Sequence, residues 1–208
     1  MKIVFDFDGV ICYSQVEMLR RLSKRLCRLI TVDDWKIYNL NKNFDAEAVA
    51  ELKPIFEEDV YNGARDDAFD TNVGEAIEML YNKGHDVSIE TMCGSETSYM
   101  NKVRYLQNKG LGHIKMVPVY SYNKVIKADI AVEDCYENLE KADAKIKILI
   151  TRPWNKQFKT DMVVTNTFDM QHKSLCIGSD DTNTAISKAL YIRVDDTKQL
   201  SNLLNALV

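Results

Sequence analysis

Two carboxylates, Asp6 and Asp8, stand two residues apart in the opening stretch MKIVFDFDGVICYS, inside a run that is otherwise apolar. Residues at i and i+2 of a strand share a face, so both acids can look into one cavity, with Asp8 already entering the turn at Gly9. Two ionised carboxylates about 4 Å apart repel by about 4 kcal/mol at an effective dielectric of about 20. A second acidic pair, Glu133 and Asp134, follows the apolar run DIAV, and this sharpens the need for a cation. Thr91 follows VSIE, and Lys124 lies just beyond VPVYS. Oxygen ligands without histidine or cysteine partners favour magnesium, which keeps several waters and accepts one or two carboxylates beside phosphate oxygens. With a hydroxyl and an amine added, the set suits a phosphate held against a metal. One aspartate then attacks phosphorus while its neighbour protonates the leaving oxygen.

The elements that must position these residues follow from hydrophobic rhythm. Residues 2 to 7 are β-branched and aromatic, too short for a helix, and predict a strand. SQVEMLRRLSKRLCRLI carries Val16, Leu19, Leu22, Leu26 and Leu29 at helical spacing and predicts an amphipathic, basic helix. TVDDW is a helix entry, FDAEAVAEL a second helical pattern, and Pro54 is expected to open a further short helix, PIFEEDVY. From Asn72 helices and strands alternate. VGEAIEMLYNKG is a helix closed by Gly84, HDVSIET a strand, NKVRYLQNKG a helix closed by Gly110 and IKMVPVYS a strand; after a short helical turn near Lys124 come the strands DIAVED and KIKILIT. That alternation predicts an α/β class: a Rossmann-like, doubly wound, mostly parallel sheet with helices on both faces. The expected core spans 1–13 and 71–208, interrupted after the first strand by a helical insert at 14–70. In such a sheet ligands bind at the carboxyl ends of the strands, where Asp6, Asp8, Thr91, Lys124, Glu133 and Asp134 fall.

DFDGV, the strand-terminal Thr91, the later Lys124 and the acidic pair of AVEDC match, in order and strand context, the four motifs of the haloacid dehalogenase superfamily of phosphohydrolases. TVDDWKIYNLNKNF, NKVIKADIAVED and ILITRPWN further resemble its 5'(3')-deoxyribonucleotidase branch, over about residues 1 to 157. The resemblance implies Asp6 as the nucleophile that becomes an aspartyl-phosphate, and Asp8 as the acid and then the base. It implies Mg2+ on Asp6, the backbone carbonyl of Asp8 and Asp134, with Glu133 a direct or water-mediated partner. Thr91 and the backbone amides after it, beginning at Met92, would hold phosphate oxygens, and Lys124 would neutralise phosphate and nucleophile. The insert would be a cap over a small-molecule nucleotide substrate. Two departures stand out: Met92 replaces the second hydroxyl residue common in the branch, leaving Ser95 nearby, and the acidic pair is Glu-Asp rather than Asp-Asp. The tail from about 160 to 208 is not placed by the resemblance.

Plainer readings compete. Asp6 and Asp8 can be turn aspartates, Glu133 and Asp134 helix-capping acids before YENLEKA, Lys124 a surface lysine beside Lys127, and Thr91 an ordinary strand threonine. Asp180 and Asp181 in LCIGSDDTNTAI form a rival fourth motif, with a helix cap as its bland alternative. Trp35, Tyr38 and Phe44 can stack a nucleobase or form the insert's own core. The basic run from Arg20 to Arg28 reads as a solvated face before it reads as an anion-steering one.

Composition bounds the rest. Five scattered cysteines (Cys12, Cys27, Cys93, Cys135, Cys176) with no C-x-x-C pair give no disulfide framework or zinc site, and His85, His113 and His172 show no ligand or base spacing. A formal net charge of −4 with both signs interspersed argues against duplex nucleic acid. Asp6 interrupts the first apolar run too early for a signal segment, and no stretch approaches the ~20 apolar residues of a membrane span, so a soluble cytoplasmic protein is expected. Homodimerisation stays open. The expected activity is magnesium-dependent hydrolysis of nucleoside monophosphates. The alternatives are a phosphatase for sugar phosphates or polynucleotide ends, and a catalytically silent nucleotide-binding or interaction protein.

Overall fold

A computed structural model describes residues 1–62, 68–120, 124–164 and 189–208. The opening apolar run forms β1 (Lys2–Phe5), buried on both faces. After the insert come α3 (Thr71–Asn82), β2 (Asp86–Met92), α4 (Glu96–Asn108), β3 (Lys115–Val119), β4 (Lys127–Glu133), α5 (Tyr136–Lys141) and β5 (Asp143–Ile150). The tail adds β6 (Met162–Val164), β7 (Leu190–Val194) and α6 (Thr197–Leu207). The strands form one sheet in the order β3-β2-β1-β4-β5-β7-β6, and every described pairing is parallel.

Alternation along the strands divides the interior into two layers. Ile3 and Phe5 of β1 join Val73, Ile77 and Leu80 of α3 and Leu200, Leu203 and Leu204 of α6, whereas Val4 faces the opposite way with Ala131 and Leu139 of α5. Helices therefore cover both faces, and the doubly wound Rossmann-like class is as expected. Successive strands run outward from β1 to β3 on one side and from β4 to β5 on the other. The order reverses between β1 and β4, which is where an open parallel sheet leaves a crevice at its carboxyl edge.

Between β1 and α3 lie α1 (Ser14–Leu26), α2 (Ala46–Glu57) and 3-10 turns at Val32–Asp34 and Leu40–Lys42. Two expectations for this insert need correction. The first helix stops at Leu26 because Cys27 takes a left-handed conformation (φ 49°), and Ser23 Oγ then clamps Ile30 through both its N–H and its carbonyl. Leu29 accordingly falls beyond the helix, and Val16, inside it, lies off the buried stripe, which runs through Gln15, Met18, Leu19 and Leu22. The second correction concerns Pro54, which lies inside α2 rather than opening another helix. The Asp45 side chain caps the helix at Ala48 N–H, and one face carries the buried Ala48, Leu52 and Ile55 straight past the proline. Burial of that stripe outweighs the one backbone hydrogen bond that proline forfeits. Lys124–Ile126 are also non-helical, so the short helical turn expected near Lys124 is absent among the described residues. The arginines of the basic run are mostly spent on acids: in α1, Arg20 and Arg21 on Glu17, Arg21 and Arg25 on Glu58 and Arg25 on Glu51, and just beyond it Arg28 on Asp45.

Candidate active site

The end of β1 and the end of β4 meet at the crevice. Phe5 pairs with Val132, and Asp6 N–H donates to the Val132 carbonyl at 2.9 Å, so the next residues on each strand, Asp6 and Glu133, emerge side by side. Asp6, Glu133 and Asp134 can each offer a carboxylate oxygen lying within 4.8 Å of those of the other two. Lys124 reaches this cluster from the segment before β4, its Nζ donating to Asp6 Oδ1 at 2.7 Å and to Glu133 Oε1 at 2.6 Å. All four residues are buried.

One ammonium cannot neutralise three carboxylates, so full ionisation of the cluster is opposed. Burial works against the Lys124 charge, yet Asp6 and Glu133 outweigh it and hold the ammonium above its ordinary range. Burial first, and then the Asp6 charge, pushes the Glu133 carboxyl up; the same causes, with Glu133 added, raise Asp134 well above the usual carboxylate range. Two oxygens here, Glu133 Oε2 and Asp134 Oδ2, are buried and have no hydrogen-bond partner among the described residues. Such orphaned acceptors are costly unless a ligand satisfies them. An oxygen-only set of clustered acids fits a hard divalent cation, and Asp6, Glu133 and Asp134 are the residues that would hold it.

The backbone under the cluster is tightly specified. Gly9 has φ +78°, and a Cβ there would stand 1.9 Å from Asp134 Oδ2, so only glycine lets the turn pass beneath that carboxylate. On the other side the Asp134 carbonyl accepts from Asn155 Nδ2 at 2.8 Å and Trp154 Nε1 at 3.2 Å, while Arg152 Nε donates to the Gly9 carbonyl at 2.8 Å. The stretch TRPWN thus braces both acidic turns.

Asp8 occupies a second subsite. Its Oδ1 accepts from Ser14 Oγ at 2.5 Å and Tyr61 Oη at 2.9 Å, and its Oδ2 accepts from Lys102 Nζ at 2.6 Å. Lys102 also donates to Thr91 Oγ1 and to the Met92 carbonyl, both at 2.7 Å. The expected residues Thr91 and Asp8 are therefore joined by one lysine, while Met92 leaves its side chain half-exposed at the rim. Lys102, Tyr61 and Ser14 were not anticipated. For Lys102 a signal existed: it shares a face of α4 with the buried Ser98, Asn101, Tyr105 and Leu106.

Other candidates fall elsewhere. Trp35 packs against Trp154 and Phe44 with ring centroids 5.4 and 6.0 Å apart, buried in the main core cluster with its indole nitrogen lacking a described partner. Tyr38 is half-buried: burial first, with the nearby Asp134 and Asp6 adding to it, raises its phenol well above the ordinary value. Ser95 caps α4 at Ser98 N–H and donates to Glu57 Oε2 at 2.6 Å. Burial raises the thiols of Cys93 and Cys135 out of easy ionisation. His85 meets the N-terminal amine and His113 meets Glu78, both away from the acids; His172, Cys176, Asp180 and Asp181 lie outside the described residues. Among the described residues no helix is long and apolar enough to cross a membrane.

No protein-family model and no curated protein matches the chain. Among solved structures it is similar to Mycobacterium tuberculosis protein tyrosine kinase A, at 11% identity and a TM-score of 0.53, over 98% of this chain and 97% of that one. It is also similar to a HAD-superfamily hydrolase, subfamily IA, variant 1, from Geobacter sulfurreducens PCA, at 14% identity and a TM-score of 0.49, over 97% of this chain and 98% of that one. Likeness to the first, at so low an identity, shows a shared fold and nothing more.

Proposed function

We propose that the protein is a magnesium-dependent phosphatase of the haloacid dehalogenase type that hydrolyses nucleoside monophosphates, 5'(3')-deoxyribonucleotides above all. The observation that carries this reading is the buried cluster of Asp6, Glu133 and Asp134 around Lys124, with orphaned oxygens on two of the acids.

In the proposed reaction an Asp6 carboxylate oxygen attacks phosphorus. The bond from phosphorus to the leaving oxygen breaks, its electron pair stays on that oxygen, and the oxygen takes a proton from Asp8. Asp8 then takes a proton from water as the water oxygen attacks the aspartyl-phosphate, which returns the Asp6 carboxylate and releases phosphate. A bound magnesium ion supplies charge neutralisation for phosphate beside the acids. Among the described residues Lys124 Nζ has two acceptors for its three N–H groups, which leaves one donor for a phosphate oxygen. The nucleotide preference rests on the resemblance of TVDDWKIYNLNKNF in the insert, of NKVIKADIAVED and of ILITRPWN. In this reading residues 14–70 act as a cap, which agrees with three contacts that the insert makes on the sheet edge: Tyr61 on Asp8, Glu57 on Ser95 and Trp35 on Trp154.

Phosphate release tests the proposal. Wild type should hydrolyse p-nitrophenyl phosphate only with magnesium, and Asp6→Asn and Asp134→Asn should lose at least about 100-fold in kcat. A panel of nucleotides, sugar phosphates and 3'-phosphorylated oligonucleotides ranks the substrates. Full activity in Asp6→Asn would overturn the nucleophile assignment, and a sugar phosphate at the head of the panel would overturn the nucleotide preference.

A further inference from the structure

We infer that Lys102 is a positioning residue for the leaving-group step, dividing labour with Lys124; this rests on the phosphatase reading above. Lys102 is 2% exposed and its Nζ has three acceptors, Asp8 Oδ2 at 2.6 Å, Thr91 Oγ1 at 2.7 Å and the Met92 carbonyl at 2.7 Å. An ammonium carries three N–H donors and no acceptor, so this one is saturated and has nothing left for substrate. It acts through what it holds.

Thr91 Oγ1 accepts from Lys102, which anchors the lysine to the end of β2 beside the acid. Asp8 is held at both oxygens, by Lys102 on one and by Ser14 and Tyr61 on the other, which fixes the plane of its carboxyl group. That side chain is still 25% exposed, whereas Lys102 behind it is enclosed, its Nζ 5.3 Å from the Phe7 ring centroid and 6.0 Å from that of Tyr61. The lysine thus stands at the back of the subsite and aims the acid at the open side. Lys124, with its two acceptors on Asp6 and Glu133, serves the phosphate side instead.

Misaiming Asp8 should hurt in proportion to how much the leaving oxygen needs a proton. Nitrophenolate departs without one; a nucleoside or other alkoxide does not. The test measures kcat/KM, which reports the reaction up to leaving-group departure, for wild type, Lys102→Met and Lys102→Arg. The substrates are p-nitrophenyl phosphate and whichever alkyl phosphate wild type turns over fastest. Lys102→Met should lose about 100-fold or more on the alkyl phosphate and less than about tenfold on the aryl phosphate, general acid catalysis being worth 10²–10⁴. Lys102→Arg keeps the charge but cannot point three donors at three converging acceptors, so it should show the same split. If Lys102→Met does not fold, the arginine variant carries the comparison. Equal losses on both substrates, or full alkyl turnover in Lys102→Arg, overturn the assignment while leaving the phosphatase reading intact. A wild type inactive on every phosphate ester overturns both.

Discussion

Gly9 shows how much of the candidate site depends on atoms that are missing from a side chain. Its positive φ lets the chain turn directly after Asp8, and its bare Cα leaves the space that the Asp134 carboxylate occupies. Gly9→Ala would put a methyl group 1.9 Å from Asp134 Oδ2 and 2.6 Å from its Cγ, so the carboxylate would have to leave. The left-handed backbone adds about 1–2 kcal/mol of strain. The expected outcome is a folded, destabilised protein whose melting temperature no longer responds to magnesium, read by circular dichroism with and without the ion. Asp6, Asp8, Glu133 and Asp134 were legible in the sequence because acids ending apolar strands are conspicuous. For Lys102 only a place on the buried face of α4 was legible; its partners Asp8, Thr91 and Met92 come from two strand ends, and packing alone sets the rotation of α4 that turns it toward them.

At the scale of elements, apolar patterning located β1, β2, β4 and β5, because each is a short β-branched run between turn residues. It failed where a tertiary contact overrode a local signal. Pro54 reads as a helix start, yet the stripe Ala48, Leu52 and Ile55 packs into the main core and carries α2 through it. The two helices of the insert illustrate which contacts matter energetically. Arg25 pairs with Glu51 and Glu58, all three a third or more exposed, and surface pairs are worth about 0–1 kcal/mol. Leu52 is fully buried, and removing a buried leucine side chain costs about 2–5 kcal/mol. Chemical denaturation should therefore find Arg25→Ala within about 1 kcal/mol of wild type and Leu52→Ala several times more damaging.

For the molecule as a whole, the buried acids couple stability to pH and to metal. Burial and the Asp6 charge move the Glu133 carboxyl from 4.5 up to about 8 in the folded state. Between those values the folded chain binds a proton that the unfolded chain has released, so the contribution is fully present below pH 4.5 and is lost as pH rises through about 8. Asp134 shifts in the same direction. A cation binds the ionised form and must expel these protons, so its own affinity rises over the same window. Calorimetry should show the metal-free protein melting lower at pH 8 than at pH 6, and magnesium raising the melting temperature more at pH 8 than at pH 6. A magnesium effect equal at both values would separate Glu133 from the ion site.

The strand order also governs how this chain is made. β7, late in the sequence, lies between β5 and β6 and lends its Val194 carbonyl to Thr151 N–H. A nascent chain that has emerged only as far as residue 160 therefore presents β5, with its row of isoleucines at 146, 148 and 150, as a bare sheet edge. Unpaired apolar edges recruit other chains. Ribosome stalling before β7 is made would leave a sticky intermediate, and slow synthesis of that stretch would favour chaperone capture over release.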